Sequence, residues 1–126
     1  MAALRIEPTE DTPQVILNRE TEQFEISGKS LPEDVIEFYH PVLDWMLVYK
    51  KEPLNKTIFN FKLVYFNTAS SKLILNLLMI LEEIQMNGHE VLIRWFSPVT
   101  DEDIKEAGEE YGDMMKLKFE HISYDE

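Results

Sequence analysis

Apolar and polar residues alternate near the start of the chain. Segment 23–27 places an apolar side chain at every second position, and the apolar-centred segment 14–18 precedes it across the polar link 19–22. Such patterns are typical of half-buried β-strands, so the two segments are predicted to pair as a hairpin. Residues 4–6, which lie before Pro8, are predicted to add a short edge strand.

The pattern then changes to a helical period. From residue 35 the apolar positions recur every three or four residues: Val35, Tyr39, Val42, Met46 and Tyr49. Ser30 is interpreted as the N-cap, with Pro32 in the first turn, and the helix is predicted to end near Lys50. Pro41 lies in its middle, where it removes one hydrogen bond or kinks the helix.

Strands and helices alternate over the rest of the chain. Strands are predicted from β-branched and aromatic content at residues 56–66, 89–96 and 117–122. Between them, one helix is predicted over residues 70–86, ended by Asn87-Gly88, and another from Thr100 to about residue 111. Strands joined by helices are expected to be parallel. The sequence therefore predicts an α/β fold, with a mixed sheet of about six strands and about three helices packed on it.

Length and charge limit the classes of function. Residues 1–126 contain no repeat or long linker and are predicted to form one domain. The chain has no cysteine, which excludes a disulfide framework, and its apolar runs are shorter than the ~20 residues of a membrane span. A net charge of −12 repels nucleic acid and anionic membranes and favours basic protein surfaces, or it serves only solubility. These features predict a cytoplasmic protein with no nucleic-acid partner and no direct membrane insertion.

A polar turn separates the strand at 56–66 from the helix that follows it. Four of its five residues are small and polar: Asn67, Thr68, Ser70 and Ser71. Ligands and modifications usually lie at this carboxyl end of a strand in open α/β sheets. A phosphate on Thr68 would lie near the positive end of the helix and add about −1.5 to −2 charges. The alternative is an ordinary helix cap, since these are common capping residues.

The helix after the turn has apolar residues on two sides. One broad face is assigned to the sheet: Leu73, Ile74, Leu77, Ile80, Leu81 and Ile84. Leu75, Met79 and Met86 fall near the opposite side, and we interpret them as a candidate partner-binding surface, because methionine suits adaptable contacts. The alternative is that another helix covers them.

Three stretches carry a resemblance to a known family: VYFNTASSKLIL at residues 64–75, EVLIRW at 90–95 and DEDIKEAG at 101–108. They resemble the SiaC family of bacterial regulatory phosphoproteins, and the likeness covers essentially the whole chain. That family is similar to the anti-sigma-factor antagonist (STAS) fold, which implies a STAS-like sandwich. The Asp-Ser-Ser-Gly pattern of those antagonists is absent here, because Asn67-Thr68-Ala69-Ser70 stands in its place.

The resemblance implies a specific regulatory role. Thr68 would accept phosphate from a dedicated protein serine/threonine kinase, and a PP2C-type phosphatase would remove it. The unphosphorylated form would bind a diguanylate cyclase and promote cyclic-di-GMP synthesis, which affects aggregation and biofilm formation.

The sequence gives little support for a metal site or for hydrolytic catalysis. The three histidines are far apart, and the acids at 101–103 complement a helix dipole without needing a metal, so no metal or cofactor is predicted. A serine hydrolase using Ser70 or Ser71 has no visible base. We therefore predict a protein that is not an enzyme, and the main alternative to a phosphorylation switch is a constitutive protein-binding adaptor.

Overall fold

The computed structural model describes residues 1–125. The strands are β1 (Leu4–Ile6), β2 (Gln14–Asn18), β3 (Gln23–Ser30), β4 (Lys56–Phe66), β5 (Glu90–Pro98) and β6 (Lys118–Tyr124). The helices are α1 (Val35–Tyr49), α2 (Thr68–Met86) and α3 (Glu102–Met114). The predicted order of elements along the chain is confirmed.

All six strands form one sheet, in which spatial order follows chain order from β1 to β6. The first two pairings are antiparallel, and the pairings β3–β4, β4–β5 and β5–β6 are parallel. Each parallel connection contains one helix, as crossovers between parallel strands require. The mixed α/β sheet predicted from the sequence is therefore the one observed.

Aromatic side chains show that α1 and α3 lie on the same face of the sheet. A chain of rings with centroids 4.8 to 6.3 Å apart runs from α1 across three strands to α3. It contains Tyr49, Phe24, Phe59, Phe61, Trp95 and Tyr111. Helix α2 packs against α1 on this face, so the core lies between the sheet and the three helices.

A β-bulge changes which residues of β4 face the helices. Gly28 is opposite Leu63, whereas the next residue of β3 is opposite Tyr65, so Val64 is the extra residue. Gly28 has φ of 102°, a left-handed conformation that glycine adopts without strain. Because of the extra residue, Phe66 packs against the core and Tyr65 is exposed. The bulge also places Ser30 beside Phe66, directly before the polar turn.

The predicted N-caps of α1 and α3 are wrong. Ser30 is the buried last residue of β3, and α1 is capped by Asp34, whose carboxylate accepts from the Glu37 amide at 3.0 Å. Helix α3 is capped by Asp101 rather than by Thr100. In both places several capping residues stand close together in the sequence, and local pattern cannot rank them. Helix α1 continues through Pro41 to Tyr49.

Candidate functional site

The polar turn lies between β4 and α2. Asn67 is the N-cap of α2, and its side-chain oxygen accepts from the Ser70 amide at 2.8 Å. The helix therefore begins at Thr68, two residues before the predicted start, and Thr68 occupies its first position. The Asn67 amide donates to the Ser30 carbonyl at 3.2 Å, which ties the turn to the end of β3.

The three hydroxyl groups of the turn differ in accessibility. Ser70 is completely buried, with 0% exposure. Ser71 is half-buried, and its hydroxyl donates to the Thr68 carbonyl at 2.6 Å. Thr68 is exposed, and no hydrogen bond engages its hydroxyl within residues 1–125. Thr68 is thus the hydroxyl of this turn that another protein can reach.

A buried chain of hydroxyls holds the turn from beneath. Ser70 Oγ donates to the Ser30 carbonyl at 2.9 Å, and Ser30 Oγ donates to Ser70 Oγ at 2.9 Å. Tyr39 Oη lies 2.6 Å from Ser30 Oγ. Each hydroxyl has one proton, and that of Ser30 is already used, so the Tyr39 hydroxyl must be the donor in this last bond. Burial raises the pKa of Tyr39 above its ordinary value.

Tyr111 of α3 holds the same turn from the other side. Its hydroxyl donates to the Ser71 carbonyl at 2.8 Å, which links α3 to the first turn of α2. Burial raises the pKa of Tyr111 to about 12, and the nearby Tyr39 and Glu110 also raise it. Ser30, Tyr39 and Tyr111 were not predicted as site residues, since only the folded chain brings them to the turn.

Tyr111 makes stability sensitive to alkaline pH. Its pKa in the folded protein lies above the ordinary value of 10. The contribution of this difference to the free energy of unfolding is therefore fully present below pH 10 and is lost as the pH rises toward 12. Tyr111→Phe is expected to cost about 0.5–1.5 kcal/mol at neutral pH through the lost hydrogen bond, and to lose less stability than the parent between pH 10 and 12. Urea unfolding at several pH values tests both effects. An equal alkaline loss in the variant and the parent would contradict this role.

A groove runs between α2 and α3, beside Thr68. This α2–α3 groove encloses about 250 Å³. Its walls include Phe66, Lys72, Leu75, Ala107, Glu110 and Met114. The surface next to Thr68 thus contains an apolar cleft, with Lys72 on its α2 side and Glu110 on its α3 side.

The candidate partner surface on α2 is only partly continuous. Leu75 is half-buried in the α2–α3 groove, whereas Met79 and Met86 lie farther along α2 and are 49% and 73% exposed. The buried arc of α2 is shifted by about one residue from the predicted face. Leu78 is buried, and Leu73 is only half-buried.

The histidines and acids do not assemble into a site. Within residues 1–125, no three histidine or carboxylate side chains are grouped in a way that could hold a metal ion. His40 lies 3.4 Å from Asp44 on the surface of α1, far along the chain from the polar turn. The Ser70 hydroxyl bonds only to Ser30, so the described structure gives it no general base.

No helix in residues 1–125 combines the length and the apolar character that crossing a membrane needs.

Relatives of the chain are found at the level of sequence and of structure. The family model described as SiaC family regulatory phosphoprotein matches residues 6–124. An uncharacterized protein of Pseudomonas aeruginosa strain UCBPP-PA14 is 28% identical over 126 residues, which is the whole of both chains. The solved structure of SiaC of Pseudomonas aeruginosa is similar with a TM-score of 0.90 and 26% identity, covering 98% of this chain and 100% of that one.

A second solved structure shows a relative with its partner. It is the crystal structure of the diguanylate cyclase SiaD in complex with its activator SiaC from Pseudomonas aeruginosa. The matched chain has a TM-score of 0.90 and 26% identity, covering 96% of this chain and 99% of that one. Because the family model extends over nearly all of the sequence, this chain belongs to the SiaC family of regulatory phosphoproteins.

Proposed function

We propose that this chain is a non-catalytic activator of a diguanylate cyclase, switched by phosphorylation of Thr68. The unphosphorylated protein binds the cyclase and promotes cyclic-di-GMP synthesis. A dedicated protein kinase modifies Thr68 and abolishes the interaction, and a PP2C-type phosphatase restores it. The resulting control acts on aggregation and biofilm formation.

The exposed, unbonded hydroxyl of Thr68 is the observation that carries this proposal. A kinase must bring the acceptor hydroxyl into its own active site, which the buried Ser70 does not permit. Ser71 is half-buried, and its hydroxyl is occupied by the Thr68 carbonyl. The phosphorylation site is therefore assigned to Thr68 rather than to its neighbours.

Helix capping does not account for Thr68. Asn67 performs the capping, and the buried Ser70 ties the turn to β3. If the protein is a constitutive adaptor, Asn67 and Ser70 are sufficient to form the turn, and the Thr68 hydroxyl has no structural role. The family, described as regulatory phosphoproteins, favours the switch. The solved complex of SiaD with its activator SiaC supports a diguanylate cyclase as the class of partner.

Two substitutions at Thr68 test the switch. Thr68→Ala is expected to bind and activate the cognate cyclase like the parent and to accept no phosphate from the kinase. Thr68→Asp introduces one negative charge at the same place and is expected to weaken binding about tenfold, equivalent to about 1.4 kcal/mol. Binding is measured by calorimetry, activation by cyclic-di-GMP production, and modification by the intact mass of protein from its host.

Gln23→Glu is the matched control, because Gln23 is exposed at the start of β3, at the opposite end of that strand from Ser30 and the polar turn. It adds the same charge and is expected to leave binding unchanged. The switch is refuted if phosphorylated protein activates the cyclase as well as unmodified protein, or if Thr68 never carries phosphate in the host.

A further inference from the structure

We infer that the α2–α3 groove receives an apolar side chain of the cyclase, and that Lys72 on its rim pairs with a carboxylate beside that side chain. Phosphate on Thr68 then forms an ion pair with Lys72, and the cyclase is released because its carboxylate loses that partner. This inference rests on the proposed function and adds the binding surface and the way in which the phosphate acts.

The groove suits a single apolar side chain. Its apolar lining includes Phe66, Leu75, Ala107 and Tyr111, and it also includes Met114, which is 60% exposed. Exposed methionine adapts to differently shaped apolar groups. A volume of about 250 Å³ accommodates one large aliphatic or aromatic side chain, which is how anchor residues enter a partner surface.

The two rims of the groove carry opposite charges. Lys72 is the one basic residue of α2, and within residues 1–125 its ammonium group takes part in no ion pair, so it is available to a partner. On the other side, α3 carries six acids and one lysine, and Glu110 lines the groove. A complementary partner therefore presents an anion to Lys72 and cations to α3.

The sign of the charge determines how phosphate can act. The chain already has a net charge of −12, so further negative charge strengthens binding to a partner that is basic throughout. For phosphorylation to release the cyclase through charge, the partner must offer a negative group near Thr68. Lys72 is the cation in this part of the groove that such a group can pair with.

Thr68 and Lys72 are four residues apart on the same helix. Side chains at this spacing are neighbours, with about 5–6 Å between their Cβ atoms, and an acid placed N-terminal to a lysine is the favourable arrangement. A phosphate on Thr68 therefore reaches the ammonium group of Lys72 without any change in the backbone. The partner carboxylate then loses its cation and meets a negative charge instead.

Substitution of Lys72 tests the binding surface. Lys72→Gln is expected to weaken binding of the unphosphorylated chain to the cognate cyclase about tenfold, and Lys72→Arg is expected to retain most of the affinity. Lys118→Gln is the control, because it removes an exposed lysine on β6, away from the groove. Unchanged affinity of Lys72→Gln, or an equal loss in Lys118→Gln, overturns the inference.

A second measurement needs no partner. In protein phosphorylated at Thr68, ³¹P NMR follows the second ionisation of the phosphate, whose ordinary pKa is about 6. Pairing with Lys72 is expected to lower this pKa by a few tenths of a unit, and Lys72→Gln is expected to restore it. If the phosphate titrates identically in the two proteins, it does not pair with Lys72, and the inference is overturned. Full cyclase activation by phosphorylated protein instead refutes the proposed function, so the two failures are distinguishable.

Discussion

Gly108→Ala is expected to lower the free energy of unfolding by about 3 kcal/mol or more. A Cβ atom at Gly108 would lie 2.3 Å from Cδ1, 2.5 Å from Nε1 and 2.6 Å from Cγ of Trp95. Carbon atoms in contact are normally about 3.5–4.0 Å apart, so either the indole or the helix must move. Urea unfolding of the variant and the parent measures the loss.

The surroundings of Trp95 explain why the loss is large. The indole is 1% exposed, its ring packs against those of Phe61 and Tyr111 at 5.5 Å each, and its Nε1 donates to the Ile104 carbonyl at 2.9 Å. Moving the indole disturbs these contacts together. Moving α3 displaces Tyr111, which holds the first turn of α2 through Ser71. The strain thus extends to the polar turn that contains Thr68.

Gly112→Ala is the matched control on the same helix. A Cβ atom there would lie 3.6 Å from Cγ of Phe119, an ordinary contact distance. Alanine is a better helix former than glycine, so this variant is expected to gain about 0.5–1 kcal/mol. Opposite signs for the two substitutions identify close packing against Trp95 as the cause. A similar small effect at both positions would show that the clash relaxes at little cost.

Sequence patterns were sufficient for the architecture because each element buries one regular face. Segment 56–66 alternates its buried residues as a strand does, and it coincides with β4. Alternation of strands with helices then led to the parallel pairing that the sheet shows. The position of the polar turn between β4 and α2 was also predicted from the sequence. Thr68 was selected within it by resemblance to a family, and its phosphorylation stays a prediction.

Contacts between distant residues could not be predicted in the same way. Ser30 was interpreted as a helix cap, because serine before a proline-containing turn is a capping pattern. Its actual partner, Ser70, is forty residues away and comes within reach only after β3 and β4 pair. The close approach of Gly108 to Trp95 is likewise a property of how α3 sits on β5. Local periodicity contains no information about either contact.

Ser70→Ala is expected to lower the free energy of unfolding by about 1–3 kcal/mol. The substitution removes the acceptor of the Ser30 hydroxyl and the donor to the Ser30 carbonyl, both at a site with 0% exposure. Because water has no ready access there, the Ser30 hydroxyl loses its acceptor, and the Ser30 carbonyl keeps only the Asn67 amide as a donor. Tyr39 also loses the last member of its hydrogen-bonded chain. Unfolding in urea measures the total loss.

Ser71→Ala provides the comparison, since it also deletes a single hydroxyl from the first turn of α2. That hydroxyl donates to the Thr68 carbonyl at a half-buried position, where water can take its place, so a loss within about 0.5 kcal/mol is expected. Amide hydrogen exchange adds a local test: Ser70→Ala should speed exchange at Asn67, whose amide is bound to the Ser30 carbonyl. Equal losses in the two variants would mean that the buried hydroxyls do not hold the turn. A larger loss in Ser70→Ala, with faster exchange at Asn67, would mean that β3 fixes the position from which Thr68 is presented to other proteins.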